Sequence, residues 1–224
     1  MLQTAVPTQR MNSHTEKLQL IGAAGAIEAL RDQPDAKPRG VAIVTHPHPL
    51  FGGTMDNKVV QTMARAFTQA GWTVVRFNFR GVGASAGSYD EGRAETDDLR
   101  SVIEQTCAPG APLCLAGFSF GTYVLSHALA MASQRNVLEH IVLVGTAASR
   151  FAIAPIAPEL HARTLVIHGE VDDTVPLASV MDWARPQLLP VTVVPSGGHF
   201  FHGQLPLLKS LVLRHASGQP LINV

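Results

Sequence analysis

The chain has 224 residues, of which 46% are hydrophobic and only 15% charged, and its 17 basic side chains balance 17 acidic ones. Zero formal charge without a basic run gives no support for nucleic-acid binding or for a polybasic membrane anchor. No apolar stretch reaches the roughly 18 residues that a membrane span needs. The polar N-terminus lacks the apolar segment of a signal peptide, so we expect a cytoplasmic protein with its two cysteines reduced.

The first part of the chain predicts an arm followed by a hairpin. Residues 1–14 have the appearance of a loose arm, so we expect the folded domain to span 15–224. Two apolar segments at 17–21 and 26–30 are separated by a Gly-Ala-Ala-Gly turn at 22–25. Two short apolar runs joined by a glycine turn are typical of a β-hairpin.

An alternation of strands and helices follows the hairpin. Short apolar runs rich in β-branched residues predict buried strands, and runs with helical periodicity predict the helices between them. The predicted strands lie at 40–45, 72–79, 113–117, 141–144, 164–167 and 191–194, and the predicted helices lie at 56–70, 94–106, 120–132, 177–189 and 205–215. This alternation indicates a single α/β domain with a mostly parallel sheet and helices on both faces.

One serine lies in the sequence context of a nucleophile elbow. Residues 117–121 read Gly-Phe-Ser-Phe-Gly and join the predicted strand 113–117 to the predicted helix 120–132. Such a turn strains the serine backbone and needs small residues two positions away on each side. It also exposes the hydroxyl at the carboxyl end of the sheet, where the helix N-terminus favours developing negative charge. Ser119 is therefore the predicted nucleophile.

A second Gly-x-Ser-x-Gly match, at 83–87, has a different context. The sequence after it is polar and lacks the apolar face of a helix, so Ser85 is interpreted as a loop residue. The glycines from Gly81 onward also form a loose version of a dinucleotide fingerprint. In a dinucleotide-binding domain, that fingerprint lies at the start of an amphipathic helix in the first βαβ unit. This loop is not followed by such a helix, so we expect no nicotinamide cofactor.

A serine nucleophile needs an acid, which we expect beyond the predicted strand 164–167. In chains with this elbow, the order is serine, then the acid, then histidine. Carboxylates that follow a buried strand lie at the same sheet edge as the serine. Asp172 is the preferred acid. Asp173, which could instead cap the next helix, is the second choice, and Glu170 is a weaker candidate.

The base is expected beyond the last predicted strand, at 191–194. His199 follows two glycines in the loop after that strand, at the edge where the serine is expected. A histidine there would take the serine proton, and the acid would orient its ring. His199 is therefore the predicted base, and His202 is the alternative.

Two backbone N–H groups are expected to bind an oxyanion. One belongs to Phe120, the residue after the nucleophile. The other should come from the segment 46–53, His-Pro-His-Pro-Leu-Phe-Gly-Gly, whose prolines have no N–H. His48 is the simplest donor, and Leu50 is the alternative. His46 and His48 also have the spacing of a metal-binding pair, but two ligands without a nearby cysteine or carboxylate are weak evidence, so we expect no metal and no cofactor.

Together, these motifs resemble a known superfamily. The segments are HPHPLFGGTMDNKVV at 46–60, FNFRGVGASAG at 77–87, GFSFG at 117–121, HGEVDDTVP at 168–176 and GGHFFHG at 197–203. From about Lys17 onward the chain resembles the α/β-hydrolase superfamily, in particular the small, lidless bacterial hydrolases related to dienelactone hydrolase. Dienelactone hydrolases have a cysteine where this chain has serine. The resemblance implies a triad of Ser119, Asp172 and His199, and an eight-stranded sheet with one antiparallel strand.

The resemblance also implies an activity, namely hydrolysis of a small-molecule carboxylic ester through an acyl-enzyme intermediate. The segment 145–163 is too short for the helical lid of larger relatives, so we expect an open site. The same triad would serve a thioesterase or an amidase, and a catalytically silent binding module is a further alternative. We expect a monomer or a homodimer. Five phenylalanines near predicted strand ends are candidates for an apolar lining: Phe51, Phe118, Phe120, Phe200 and Phe201.

Overall fold

The computed structural model describes residues 15–218, so the predicted arm at 1–14 lies outside the described residues. The eight strands are β1 (Thr15–Gly22), β2 (Gly25–Asp32), β3 (Val41–Thr45), β4 (Thr73–Phe77), β5 (Pro112–Phe118), β6 (Val137–Val144), β7 (Thr164–Gly169) and β8 (Val191–Val194). The five α-helices are α1 (Lys58–Gln69), α2 (Arg93–Thr106), α3 (Phe120–Arg135), α4 (Leu177–Ala184) and α5 (Leu205–Ala216). Short 3-10 helices occupy Pro49–Phe51, Pro158–Arg163 and Arg185–Gln187.

The strands form one sheet in the order β1-β2-β4-β3-β5-β6-β7-β8. β2 pairs antiparallel with both β1 and β4, and every other pair is parallel. The predicted sheet of eight strands, mostly parallel and with one antiparallel strand, is therefore confirmed. Because β5, β7 and β8 run in the same direction, their carboxyl ends lie at one edge, where the predicted site residues follow them.

Two hydrophobic cores lie on opposite faces of the sheet. One contains buried side chains of α1 and α5, and the other contains those of α2, α3 and α4. In α1, Val59, Met63 and Phe67 are fully buried at the spacing of one helical face. Helices on both faces explain why the central strands are apolar along their whole length rather than alternating.

Some element boundaries differ from the predicted ones for local physical reasons. α1 begins at Lys58 because the side chain of Asn57 accepts a hydrogen bond from the N–H of Val59 and caps the helix. The helix predicted at 177–189 ends early, at Ala184, and a 3-10 turn containing Pro186 follows it. Proline has no N–H and clashes with the preceding helical turn, so the α-helix does not continue.

β6 is longer than its apolar pattern predicted. It begins at Val137, although Glu139 and His140 interrupt the apolar run. The side-chain amide of Asn136, just before the strand, donates to the carbonyl oxygens of Ala108 and Ala111 at 2.7 and 3.2 Å. These bonds hold the start of β6 against the loop that leads into β5. β6 therefore begins to pair with β5 before its continuous apolar run starts.

The cysteines and the helix lengths can be compared with the predictions from the sequence. Cys107 and Cys114 are both buried and free of a disulfide. Within residues 15–218, none of the helices combines the length and the apolar character needed to cross a bilayer.

Candidate active site

Ser119 occupies a strained turn between β5 and α3. Its backbone has φ 54° and ψ −119°, an unfavourable conformation for a residue with a Cβ. The turn is possible because its flanking glycines leave room. A Cβ on Gly117 would lie 2.7 Å from the Gly121 carbonyl oxygen, and one on Gly121 would lie 2.6 Å from Thr45 Oγ1. The strained strand–serine–helix turn is therefore present where the motif predicted it.

The structure brings Ser119, His199 and Asp172 together at the carboxyl edge of the sheet. His199 Nε2 lies 3.0 Å from Ser119 Oγ, and His199 Nδ1 lies 2.7 Å from Asp172 Oδ2. Both distances are those of hydrogen bonds. The three residues follow β5, β8 and β7 respectively and are all buried. The arrangement can move a proton from the hydroxyl to an imidazole that a carboxylate orients.

The Asp172 carboxylate is held ionised by its surroundings. Burial alone would raise its pKa, but the hydrogen bonds from His199 and the backbone outweigh burial and lower the pKa below its ordinary value. Oδ1 accepts from the N–H groups of Thr174 and Val175 at 2.9 and 2.7 Å. One oxygen is thus fixed by the backbone, and the other faces the imidazole.

His168 is a positioning residue that the sequence reasoning did not single out. Its side chain is fully buried, and Nε2 lies 2.9 Å from the Val175 carbonyl oxygen and 3.4 Å from Asp172 Oδ2. Burial lowers the pKa of His168, so its ring stays neutral. With Nε2 donating to Val175, the ring supports the turn that carries Asp172. Its position at the end of β7, four residues before the acid, was the available signal.

The alternative acids and base are placed elsewhere. Asp173 is exposed, and its Oδ1 accepts from the Thr174 hydroxyl at 3.3 Å. Glu170 is exposed too and accepts from the Ser196 N–H at 2.8 Å, which joins the loops after β7 and β8. His202 is exposed, with its ring 6.0 Å from that of Phe200. None of the three contacts Ser119 or His199.

Ser85 has a structural role in its glycine-rich loop. Its hydroxyl donates to the Asn78 carbonyl oxygen at 2.7 Å and accepts from the Glu28 N–H at 2.9 Å. The side chain is buried and ties the loop after β4 to the neighbouring strand β2. No described histidine lies within hydrogen-bond distance of it, which agrees with its interpretation as a loop residue.

The two residues predicted to donate to an oxyanion lie at the same cleft as the serine. Phe120 is the first residue of α3, so its N–H has no acceptor within the helix. His48 lines the same cleft as Ser119. The alternative donor, the Leu50 N–H, is engaged by the ring nitrogen Nδ1 of His48 at 3.2 Å. This contact favours the backbone N–H of His48 over that of Leu50.

His46 anchors the loop that follows β3. It is fully buried, and its Nδ1 lies 2.6 Å from the Pro47 carbonyl oxygen while Nε2 accepts from the Phe79 N–H at 3.0 Å. Burial lowers the pKa of His46 to about 4, so the ring is neutral near pH 7. Because both nitrogens are engaged, His46 does not form a metal pair with His48. The part of the chain that the structure describes holds no metal-binding cluster of three His, Cys, Asp or Glu side chains.

An open cleft of about 380 Å³ leads to Ser119. Its lining is mostly apolar and consists of His48, Phe51, Ser119, Phe120, Ala147, Arg150, Phe151, Thr174 and Val175. Of the five phenylalanines predicted to line a pocket, Phe51 and Phe120 do so. Phe118 and Phe201 are fully buried, and Phe200 is 43% exposed, with its ring 5.1 Å from that of His199.

The wall of this cleft includes residues that the sequence reasoning missed. The His48 ring has aromatic neighbours at 4.8 Å (Phe51 and Tyr89), 5.0 Å (Phe120) and 5.9 Å (Phe151). Burial in this cluster lowers the pKa of the His48 imidazole. Arg150 and Phe151 come from the connection between β6 and β7, which contains only one short 3-10 helix and no lid.

The sheet order, the strained serine and the helices on both faces are those of the α/β-hydrolase superfamily. Within that superfamily, the chain belongs to the family described as serine aminopeptidase, S33, whose model matches residues 36–163. A sequence relative, the uncharacterised protein RP471 of Rickettsia prowazekii, is 31% identical over 167 residues, which are 72% of this chain and 68% of that protein.

Two solved structures resemble this chain over nearly its whole length. One is XC6422 from Xanthomonas campestris, an α/β serine hydrolase without a lid, with 37% identity and a TM-score of 0.79. The match covers 93% of this chain and 96% of that one. The other is an α/β serine hydrolase homologue from Coxiella burnetii, with 33% identity, a TM-score of 0.72 and coverage of 92% and 99%. Both likenesses agree with a lidless serine hydrolase fold.

Proposed function

We propose that this protein hydrolyses carboxylic esters, with Ser119 as nucleophile, His199 as base and Asp172 as the orienting acid. The observation that carries the proposal is the pair of hydrogen bonds of the His199 ring, 3.0 Å to Ser119 Oγ and 2.7 Å to Asp172 Oδ2. An isolated serine hydroxyl is a weak nucleophile near neutral pH, and this arrangement removes its proton as it attacks. The likeness to XC6422, described as a serine hydrolase, supports the same reading.

The first half of the reaction acylates the serine. Ser119 Oγ forms a bond to the ester carbonyl carbon as His199 Nε2 takes the hydroxyl proton. The carbonyl oxygen becomes an oxyanion, which the N–H groups of Phe120 and His48 bind. When the intermediate collapses, the bond from carbon to the alcohol oxygen breaks, and His199 returns the proton to that oxygen. The alcohol leaves, and the acyl group remains on Ser119.

The second half releases the acid. A water molecule gives a proton to His199 Nε2 and bonds to the acyl carbon, again through an intermediate held by the two N–H groups. The bond to Ser119 Oγ then breaks, and the imidazolium protonates that oxygen. Asp172 stabilises the imidazolium in both halves, since its lowered pKa keeps it ionised. One water is consumed, and a carboxylic acid and an alcohol are formed.

The charge of the cleft favours an ester over the N-terminus of a peptide. An aminopeptidase binds a substrate ammonium group, for which a carboxylate at the cleft is the natural partner. Among the residues that the structure describes, the cleft lining has no carboxylate, and its one formally charged side chain is the cation of Arg150. The nearby carboxylate of Asp172 is buried and engaged by His199. This arrangement would repel an ammonium group rather than bind it.

The proposal is tested with a fluorophosphonate probe, which reacts with activated serines. The wild-type protein, Ser119→Ala and Ser85→Ala are labelled in parallel, and the adduct is located by mass spectrometry. We expect one adduct on Ser119, absent in Ser119→Ala and retained in Ser85→Ala. Screening of 4-nitrophenyl esters, thioesters and anilides then ranks the three chemistries, with esters expected to be fastest. If the folded wild-type protein gives no adduct, the proposal is wrong, and a catalytically silent binding module becomes the preferred interpretation.

A further inference from the structure

The turn that follows β6 is fixed against the helix that carries the nucleophile. The N–H of Ala147 donates to Thr122 Oγ1 at 3.3 Å, and that hydroxyl in turn donates to the Ser119 carbonyl oxygen at 2.6 Å. The N–H groups of Arg150 and Phe151 both donate to the Ala147 carbonyl oxygen at 3.0 Å. The position of the turn is thereby set relative to Ser119, and Arg150 and Phe151 line the same cleft as the serine.

Arg150 brings an uncompensated positive charge to this cleft. Its guanidinium forms no ion pair or hydrogen bond with any group in residues 15–218. Several other arginines, by contrast, are paired with carboxylates: Arg31, Arg76, Arg80, Arg93 and Arg185. The other described residues of the lining include no anion that could neutralise Arg150.

The walls around this cation are apolar. The same cleft is lined by four apolar side chains, Phe51, Phe120, Phe151 and Val175. Apolar walls bind the hydrocarbon part of a substrate, and Arg150 is exposed, so its charge is accessible to an anion that enters the cleft. A guanidinium presents two parallel N–H donors that match the two oxygens of a carboxylate.

We propose that Arg150 binds a carboxylate carried by the substrate, so that the preferred esters have an apolar body and a free carboxylate away from the reacting bond. This inference rests on the proposed ester hydrolysis and names the substrate class for the same site. A neutral ester fills only the apolar part of the cleft. An ester with a terminal carboxylate also pairs with Arg150 and is bound more strongly in both ground and transition states.

The first test compares two esters that differ only at the end of the acyl chain. They are 4-nitrophenyl hexanoate and the mono-4-nitrophenyl ester of adipic acid, in which a carboxylate replaces the terminal methyl. For wild-type protein and each variant, kcat/KM is measured for both, and their ratio is taken. The ratio corrects for differences in folding or general activity. We expect Arg150→Gln to lower the adipate-to-hexanoate ratio about three- to fivefold, the effect of one ion pair at an exposed arginine.

A second pair covers the alcohol side of the ester. Phenyl acetate is compared with 3-acetoxybenzoate, which carries the carboxylate on the leaving group. The difference in leaving-group reactivity is the same for every variant, so it cancels when the variant ratio is divided by the wild-type ratio. Arg150→Lys should keep part of the preference for the carboxylate ester, because lysine retains the positive charge but lacks the planar guanidinium with its two parallel N–H donors. Arg150→Glu should lower the ratio further than Arg150→Gln because it repels the carboxylate.

Arg100→Gln is the matched control, since Arg100 is an exposed arginine on α2 and does not line the cleft. Its ratios should equal those of the wild type. A fall of the ratio in either ester pair, confined to the Arg150 variants, supports the inference. Unchanged ratios in both pairs, with normal fluorophosphonate labelling of Ser119, overturn this inference alone. Absence of labelling and of any ester turnover in the wild type overturns the proposed function and this inference together.

Discussion

Gly145 lies directly against the ring of His199. A Cβ on this glycine would stand 3.2 Å from Cε1 of the imidazole and 3.2 Å from the ring of Phe118 on its other side. The glycine also has φ 57°, a conformation that a Cβ disfavours. Gly145, the first residue after β6, therefore leaves no room for a larger side chain beside the imidazole. The ring of Phe118 also packs there, with its centroid 5.0 Å from that of His199.

We therefore expect Gly145→Ala to lower kcat about tenfold or more, because even a small displacement of a reacting group is costly to the rate. The left-handed backbone adds a cost of about 1 kcal/mol to the free energy of folding. Steady-state kinetics with 4-nitrophenyl hexanoate and a urea melt separate the two effects. Gly198→Ala is the control, since Gly198 also adjoins His199 but has open space where a Cβ would lie. Equal kcat values for both variants would contradict this explanation.

The identity of the acid is tested by comparing three carboxylates. Asp172→Asn keeps the shape of the side chain but removes the charge that orients and stabilises the imidazolium, so we expect kcat to fall by about 10³–10⁴-fold. Asp173→Asn and Glu170→Gln should stay within a factor of about three, since neither carboxylate contacts His199. Rates are measured on one ester at saturating concentration. A large loss in Asp173→Asn with a small one in Asp172→Asn would reverse the assignment.

Ser85→Ala should affect stability and leave the chemistry intact. The substitution deletes a buried hydroxyl that satisfies the Asn78 carbonyl oxygen and the Glu28 N–H. Leaving such groups without a partner costs about 1–3 kcal/mol of unfolding free energy. Chemical denaturation measures the loss, and turnover at 20 °C, well below the transition, should remain within a factor of about two of the wild type. A severe loss of kcat in the folded variant would place Ser85 in the site.

The neutral His46 should make the protein sensitive to acid. Its pKa is about 4 in the folded state, against 6.5 for the unperturbed group, so between these values the unfolded chain binds a proton that the folded chain does not. The stabilising effect of the neutral ring is present above pH 6.5 and is lost as the pH falls towards 4. Linkage puts the loss between pH 7 and pH 4.5 at about 2 kcal/mol. Unfolding free energies at pH 7 and pH 4.5 measure it.

His46→Gln tests the origin of that acid sensitivity. The variant should be less stable at pH 7, where the bonds to Pro47 and Phe79 are disturbed, but should lose less stability on acidification than the wild type does. His202→Gln, which changes an exposed histidine, should follow the wild-type pH dependence. An identical pH dependence in His46→Gln and wild type would remove His46 as the cause, leaving other buried histidines such as His140, whose pKa burial also lowers to about 4.

The parts of the fold and site that could be predicted are those set by short-range rules. Ser119 follows from a short motif between a strand and a helix, although Gly121 of that motif makes room for Thr45, a residue distant in the sequence. Asp172 and His199 follow from their places just after buried parallel strands. The sequence already favoured Asp172 over Asp173, and the folded turn adds the backbone N–H groups of Thr174 and Val175, which bind one oxygen of Asp172.

The parts that could not be predicted depend on loops and on contacts between distant segments. Arg150 and Phe151 reach the cleft because Thr122, on another element, holds their turn. His168 directly follows the predicted strand 164–167, four residues before the acid, but its contact with Asp172 appears only when the chain turns back after β7. The early start of β6 likewise needed the bonds of Asn136 to a loop far away in the sequence.

The short turn after β6 has a consequence for how substrate range can evolve. Its backbone is closed by two hydrogen bonds to Ala147, so the side chains at Arg150 and Phe151 project from a frame that they do not themselves build. Neighbouring codons therefore encode two of the nine described residues that line the cleft and none of the proposed proton-transfer groups. Substitutions of the exposed Arg150 would explore new specificities with few losses to misfolding, whereas those of Phe151 also disturb its packing on Tyr123, and gene duplicates could diverge by the same small steps.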